Sequence, residues 1–153
     1  DKVSINSAAV RNPDLIVDMA ARFGAQCTVV AIDAKKTDGQ FQVLTRSGTE
    51  AETLDAVKWS ATAQQLGAGE ILLTSFDRDG TRSGYDLPML SAVTSACSLP
   101  VIASGGADSV AHMVEAFEHG AHAVLAASIF HDGNMTVAEV KTELAKHGIN
   151  VRK

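Results

Sequence analysis

An α/β fold of parallel strands alternating with helices follows from three features of the sequence. Short aliphatic or β-branched runs recur at a spacing of roughly thirty residues, segments of helical period lie between them, and capping residues mark where those segments start and stop. Strands that are apolar throughout suit a parallel sheet covered on both faces, and the even spacing favours a barrel over a doubly wound sheet. A complete eight-unit barrel typically needs about 250 residues. The 153 residues here supply about five βα units. The expected fold class is therefore a partial (β/α)8 TIM barrel, one half-barrel-like domain over residues 1-153 with upstream units lacking.

Taken in order, Val3-Ile5 is the first strand, followed by Asn12-Pro13-Asp14 as a helix start with proline in the first turn. Thr28-Ile32 is the second strand. Residues 35-53 interrupt the repeat as a polar insertion in which Phe41-Thr45 has the β-character of a small extra strand and Asp38-Gly39 that of a turn. Following a strand, this insertion belongs to the catalytic face, as a flap over the site or as a plain surface loop. Ile71-Thr74, Val101-Ser104 and Ala123-Ala126 complete the strands. Asp86-Leu87-Pro88 starts a helix as Asn12-Pro13-Asp14 does, and Thr136 with Glu139 forms a capping box before the last one. Gly24, Gly67, Gly120 and Gly148 stand where helix ends call for a left-handed residue.

Composition narrows the function classes. The chain is 46% hydrophobic and 20% charged, with a formal net charge of -5. That acidity argues against a nucleic-acid or anionic-membrane surface, so an anionic substrate must be held locally. Cys27 and Cys97 stand far apart and form neither a metal pair nor a redox motif, which fits buried thiols in a reducing, cytoplasmic setting. No stretch approaches the roughly eighteen apolar residues of a membrane span, and the first residues lack the form of a signal peptide. The chain is expected to be neither membrane-spanning nor secreted. His112, His119, His122, His131 and His147 fall in helices or at their ends, so no metal is expected, and no cofactor either. Trp59 shares a helical face with Ala56, Ala63 and Leu66, as core packing outside the barrel would require.

The densest signal is Val101-Ile-Ala-Ser-Gly-Gly-Ala-Asp108, an apolar run ending at two glycines with a helix expected beyond. Gly105 and Gly106 allow a sharp turn that brings backbone N–H groups, and the positive end of that helix, close to a phosphate. The same arrangement recurs after Ile71-Ser75, in Asp77-Thr81, and after Val124-Ser128. Each strand also ends near a usable polar group: Asn6, Asp33, Thr74 with Ser75, Ser104 and Ser128. In a parallel barrel those positions share the rim where active sites lie. Asp33, straight after Val29-Ile32, is the candidate for proton transfer, since partial burial would raise its pKa. Its structural alternative is a backbone cap or a pair with Lys35 or Lys36. Of Asp77, Arg78 and Asp79, Asp79 is taken as the substrate-facing member and the other two as loop-fixing ion pairs. At the opposite rim, Lys2 and Glu70 begin strands and could meet inside the barrel, as a structural plug or as a gate across its axis.

Six blocks, Asp1-Ser7, Val29-Lys35, Gly67-Ser75, Asp77-Thr81, Ser83-Asp86 and Ile102-Ala107, together resemble the cyclase subunit of imidazole glycerol phosphate synthase, essentially end to end and matching the C-terminal portion of that subunit. The resemblance implies a bis-phosphorylated substrate, the ribulosyl formimino-carboxamide ribonucleotide. This reacts with ammonia to give imidazole glycerol phosphate and aminoimidazole carboxamide ribotide in histidine biosynthesis. It implies a glutaminase subunit docked on the bottom rim, with ammonia passing the Lys2 and Glu70 gate. It makes Asp33 one of two catalytic aspartates, whose counterpart on the family's first strand has no match here. It sets Gly80, Gly105, Gly106, Ala127 and Ser128 around one phosphate, Asn6 and Ser7 at a remnant of the other, and Thr74, Asp79 and Ser104 along the middle of the substrate.

An acid and a base each contribute about 10²–10⁴-fold in rate, so a chain with one aspartate is expected to be nearly inactive alone. It would need the complementary N-terminal half or a second copy. Two alternatives are a non-catalytic, self-associating, phosphate-binding half-barrel and the sister isomerase of the same pathway. The Ser4-Ser7 opening, the Ala126-Phe130 turn and the Lys2 and Glu70 pair count against the latter.

Overall fold

The computed structural model describes residues 1–152. Among them are seven strands: β1 (Val3–Ile5), β2 (Thr28–Thr37), β3 (Gln40–Thr45), β4 (Glu50–Asp55), β5 (Glu70–Ser75), β6 (Val101–Ser104) and β7 (Ala123–Val124). The helices are α1 (Ser7–Arg11), α2 (Asp14–Phe23), α3 (Ala56–Gln65), α4 (Leu87–Ala96), α5 (Val110–Glu118), α6 (Ser128–His131) and α7 (Val137–Lys146), with a 3-10 turn at Ala25–Cys27. β1, β2, β5, β6 and β7 run parallel in that order, and β3 and β4 add an antiparallel hairpin to β2. The result is a mostly parallel sheet with helices between its strands, compatible with a TIM-barrel-like fold.

Register fixes what each face carries. Asp33 lies opposite Thr74 and Thr74 opposite Ser104, so the three side chains form one row across three strands on one face. Ile32, Ala34, Ile71, Leu73, Val101 and Ala103 point the other way and are at most 3% exposed. They pack under the helices with Trp59, Met89, Leu90 and Met113. The chemistry-bearing row thus stands on the face the helices leave uncovered.

Local signals account for most boundaries. The Asp86 carboxylate accepts from the Met89 N–H at 3.1 Å, and Thr136 and Glu139 close the reciprocal capping box. Asp55 and Ser109 cap α3 and α5 in the same way. The glycines that stop α2, α3, α5 and α7 all have φ between 77° and 99°. Asp38 and Gly39, at φ 50° and 81°, make the two-residue hairpin turn that joins β2 to β3.

Five sequence expectations need correction. Asn12 caps nothing with its side chain: an additional short helix, α1, precedes it, and α2 begins at Asp14 with Pro13 before it. β2 does not stop before Asp33 but continues to Thr37, because β3 pairs with its outer half. The 35-53 insertion is therefore part of β2 followed by two strands rather than one, the second running to Asp55. β7 ends at Val124 rather than Ala126, having no partner strand on its outer side among the described residues. Cys97 is buried but Cys27 is only half-buried, and both are free thiols. Trp59 sits in the core as expected, 4% exposed. No described helix is long and apolar enough to cross a membrane.

Candidate active site

The strand register sets Asp33 and Thr74 in one row with Ser104, and Ser104 lines a small cavity together with Asp79, Gly80, Gly105, Gly106, Ala127 and Ser128. Arg82, Ala107, Leu125 and Ala126 complete the wall. Every residue assigned to the first phosphate is thus brought to one cavity, together with Asp79 and Ser104.

The glycines are required by close approach. A Cβ on Gly105 would lie 2.7 Å from the Ser75 carbonyl oxygen, and one on Gly106 would lie 2.4 Å from the Gly84 oxygen. Both residues adopt φ above 90°. The Gly84 N–H donates to the Gly106 carbonyl at 2.9 Å, which stitches the β6–α5 turn to the β5–α4 loop.

Among the described residues, the backbone N–H groups of Gly80, Gly105, Gly106, Ala107, Ala127 and Ser128 donate to no protein acceptor. Gly105, Gly106 and Ala107 are buried. Buried N–H groups without a partner are rare, since each forfeits most of a hydrogen bond. All six residues line the one cavity, so their N–H groups are available to an acceptor there. The expected contribution of the helix after Gly106 needs correction. α5 starts only at Val110, and its capping Ser109 takes the His112 N–H, so the donors come from the turns themselves.

Asp33 occupies the other end of the row. Its carboxylate accepts from the Asn6 amide at 2.8 Å. Burial pushes its pKa up, hydrogen bonds from Asn6 and Thr74 pull it down, and the nearby Asp79 charge adds a smaller upward push; the balance is a raised value. The side-chain oxygen of Asn6 is buried without a hydrogen-bond partner. That leaves an acceptor beside Asp33 for a ligand donor. Asn6 precedes α1 but makes no side-chain cap, which frees its amide for Asp33. Neither alternative reading of Asp33, a backbone cap or a lysine pair, is realised among the described contacts.

Ser7 lies apart from the cavity. Its hydroxyl accepts from the Arg46 N–H at 2.9 Å, so the tip of the β3–β4 hairpin covers it. Ser75, offered as a substrate hydroxyl, is fully buried and donates to Asp86 at 3.0 Å, so it fixes α4 instead. Asp77 and Arg78 fix their loop as expected, though not as ion pairs: Asp77 accepts from the Lys36 N–H at 2.6 Å and Arg78 donates to the Ser83 hydroxyl at 3.1 Å. At the far end of the sheet the Lys2 ammonium meets the Glu70 carboxylate at 2.6 Å, with Glu70 14% and Lys2 52% exposed. No group of His, Cys, Asp and Glu suited to a metal ion occurs among the described residues.

Sequence reasoning missed Arg82 and Tyr85. The Tyr85 hydroxyl donates to the Leu125 carbonyl at 2.9 Å and anchors the turn that carries Ala127 and Ser128; burial raises its pKa. Both follow the Asp77–Asp79 triplet, and a cation between Gly80 and Gly84 is the signal in the sequence that marks Arg82.

The sequence profile of the family described as histidine biosynthesis protein matches residues 1–136. Curated relatives named imidazole glycerol phosphate synthase subunit HisF include one from Streptomyces coelicolor, 54% identical over 99% of this chain and 61% of its own length. Those from Thermotoga sp. strain RQ2 and Pyrobaculum aerophilum are 55% and 54% identical over 99% of this chain and 60% of their own. The chain spans about three fifths of the length of these relatives. With its glycine-lined cavity, its strand-end row and a profile match over residues 1–136, the chain belongs to the histidine biosynthesis protein family.

Proposed function

We propose that this chain carries the phosphate end and one acid–base group of the cyclase reaction that makes imidazole glycerol phosphate and aminoimidazole carboxamide ribotide from the bis-phosphorylated ribulosyl precursor and ammonia. The observation that carries the reading is the continuity of the Asp33–Thr74–Ser104 row with a cavity of unclaimed N–H donors. One substrate phosphate would accept from Gly80, Gly105, Gly106, Ala127 and Ser128, which leaves the middle of the substrate along Ser104, Asp79 and Thr74. Its reacting end would then meet Asp33. The raised pKa favours the protonated carboxyl, which suits Asp33 to exchanging a proton with a nitrogen of the substrate, while Asn6 orients it. Asn6 and Ser7 would face the second phosphate, provided the hairpin tip releases the Ser7 hydroxyl. Ammonia from a glutaminase subunit would enter past Lys2 and Glu70.

On this reading the chain is a partial barrel whose second acid–base aspartate must come from elsewhere, so it has negligible turnover alone. Mixing it with the N-terminal two fifths of a HisF relative and supplying ammonia should generate imidazole glycerol phosphate formation, and Asp33→Asn should reduce that rate by about 10²-fold or more. A well-folded complex that binds substrate without turnover would refute the cyclase assignment. The open edges of the sheet favour a second reading, a non-catalytic phosphate-binding half-barrel that pairs with a copy of itself. In that case Asp33→Asn leaves phosphate affinity unchanged and no complement restores activity.

A further inference from the structure

Among the described residues Arg82 is the one cation on the cavity wall, which otherwise consists of Asp79, Ser104, Ser128 and small or apolar residues. It holds a left-handed backbone, φ 60°, in the loop between Gly80 and Gly84. Its guanidinium is half exposed and reaches out of that loop in two directions. One Nη donates to Asp132, in the turn after α6. Its Nε faces Asp108 at 4.0 Å, too far for a hydrogen bond, and that Asp108 oxygen is buried without a hydrogen-bond partner. Of the five N–H donors in the fork, one is engaged closely. An incoming phosphate would thus meet the Asp79 carboxylate on the wall and one incompletely used cation, which it would share with Asp108 and Asp132. Backbone donors satisfy phosphate oxygens but bring no net charge to offset those acids.

We propose that Arg82 is a charge-exchange latch: its guanidinium leaves Asp132 for the phosphate when one enters the cavity, and so sets the affinity of that end of the substrate. The idea rests on the reading that the cavity takes a phosphate. It assigns opposite signs to the two partners, because Asp132 competes with the ligand for Arg82. A guanidinium that merely braced the loop against the α6–α7 turn would give both partners the same sign.

The test titrates inorganic phosphate and glycerol 3-phosphate into the unmodified protein, Arg82→Gln, Arg82→Lys and Asp132→Asn, by calorimetry, with circular dichroism confirming the fold of each. Charge-assisted contacts of this kind predict roughly 10- to 100-fold weaker binding for Arg82→Gln, with Arg82→Lys in between because it keeps the charge and loses the fork. Asp132→Asn should bind about two- to fivefold tighter, the reach of an exposed ion pair. Equal binding by Arg82→Gln and the unmodified protein would overturn the latch while leaving the phosphate site intact. Weakened binding by Asp132→Asn would overturn it in favour of a brace, and this arm decides the matter if Arg82→Gln does not fold. No binding of either probe to the unmodified protein would remove the phosphate reading and the latch with it.

Discussion

Asp33 holds its proton more tightly in the folded chain than in water, and the cause is chiefly burial. The sign of the consequence follows from linkage. Below the ordinary carboxylate range Asp33 is protonated in both states; as pH rises through that range the unfolded chain releases the proton first, and stability falls until the folded pKa has been passed. Asp33→Asn removes this loss. Urea unfolding of the two proteins across the acid-to-neutral range should show the variant gaining on the parent as pH rises and levelling off once Asp33 is ionised in both states. A constant or shrinking difference would mean that Asn6 and Thr74 outweigh burial. The glycines offer a second comparison at this scale. Alanine at Gly80 meets open space and suffers only the left-handed backbone, roughly 1–2 kcal/mol. Alanine at Gly106 adds a contact at 2.4 Å with a backbone oxygen that cannot move aside. Denaturant midpoints should therefore place Gly106→Ala clearly below Gly80→Ala; equal loss would mean the two turns do not approach so closely.

The β3–β4 hairpin is the element whose behaviour bears most on access. Its tip is held by two contacts, the Arg46 N–H on the Ser7 hydroxyl and Gly48 against the Phe76 ring, where a Cβ would fall 2.0 Å from a ring carbon. Phe76 is 41% exposed, so the second contact covers little area. Ser7→Ala removes one hydrogen bond, about 0.5–1.5 kcal/mol, and Phe76→Ala removes the packing. Together they should speed amide exchange in residues 45–50 while leaving β5 and β6 protected; unchanged exchange would mean the tip is fixed by its own turn and is no flap. This element also marks where sequence legibility ends. Helix caps, stop glycines and the Asp38-Gly39 turn could be read because each is decided by chemistry within a few residues. The outer half of β2 could not, since Asp33–Thr37 is strand only through pairing with β3 and β5. For the same reason β7 reads too long, as an edge strand with one neighbour. The cavity glycines were legible as a motif, whereas Arg82 acquires its meaning from Asp132, fifty residues away in sequence.

The shape of the whole sheet sets how the molecule meets others. Among the described residues β1 has a strand partner only in β2, and β7 only in β6, so both ends of the five-stranded parallel arc present unpaired backbone groups. Apolar side chains stand by those edges: Val3 is 54% exposed, Leu125 45% and Val137 54%. Beside β7, between α5 and α7, lies an apolar groove of about 460 Å³ lined by Phe117, Val124, Phe130, Val140 and Leu144 among others. Unpaired edges next to exposed apolar surface drive association, because pairing satisfies the edge groups and removes the apolar area from water. Light scattering on a sizing column should therefore give a mass above that of one chain. Val3→Lys with Val137→Lys, which place charges at both edges, should lower it. A single mass of two chains that sharpens with phosphate would favour the self-paired binding module, since mutual closure would order both cavities. A broad distribution that collapses to one mass when the N-terminal part of a HisF relative is added would favour the cyclase reading, in which the edges belong to a barrel completed by another segment. A monodisperse single chain at all concentrations would contradict the physical premise shared by both readings, that these edges need a partner.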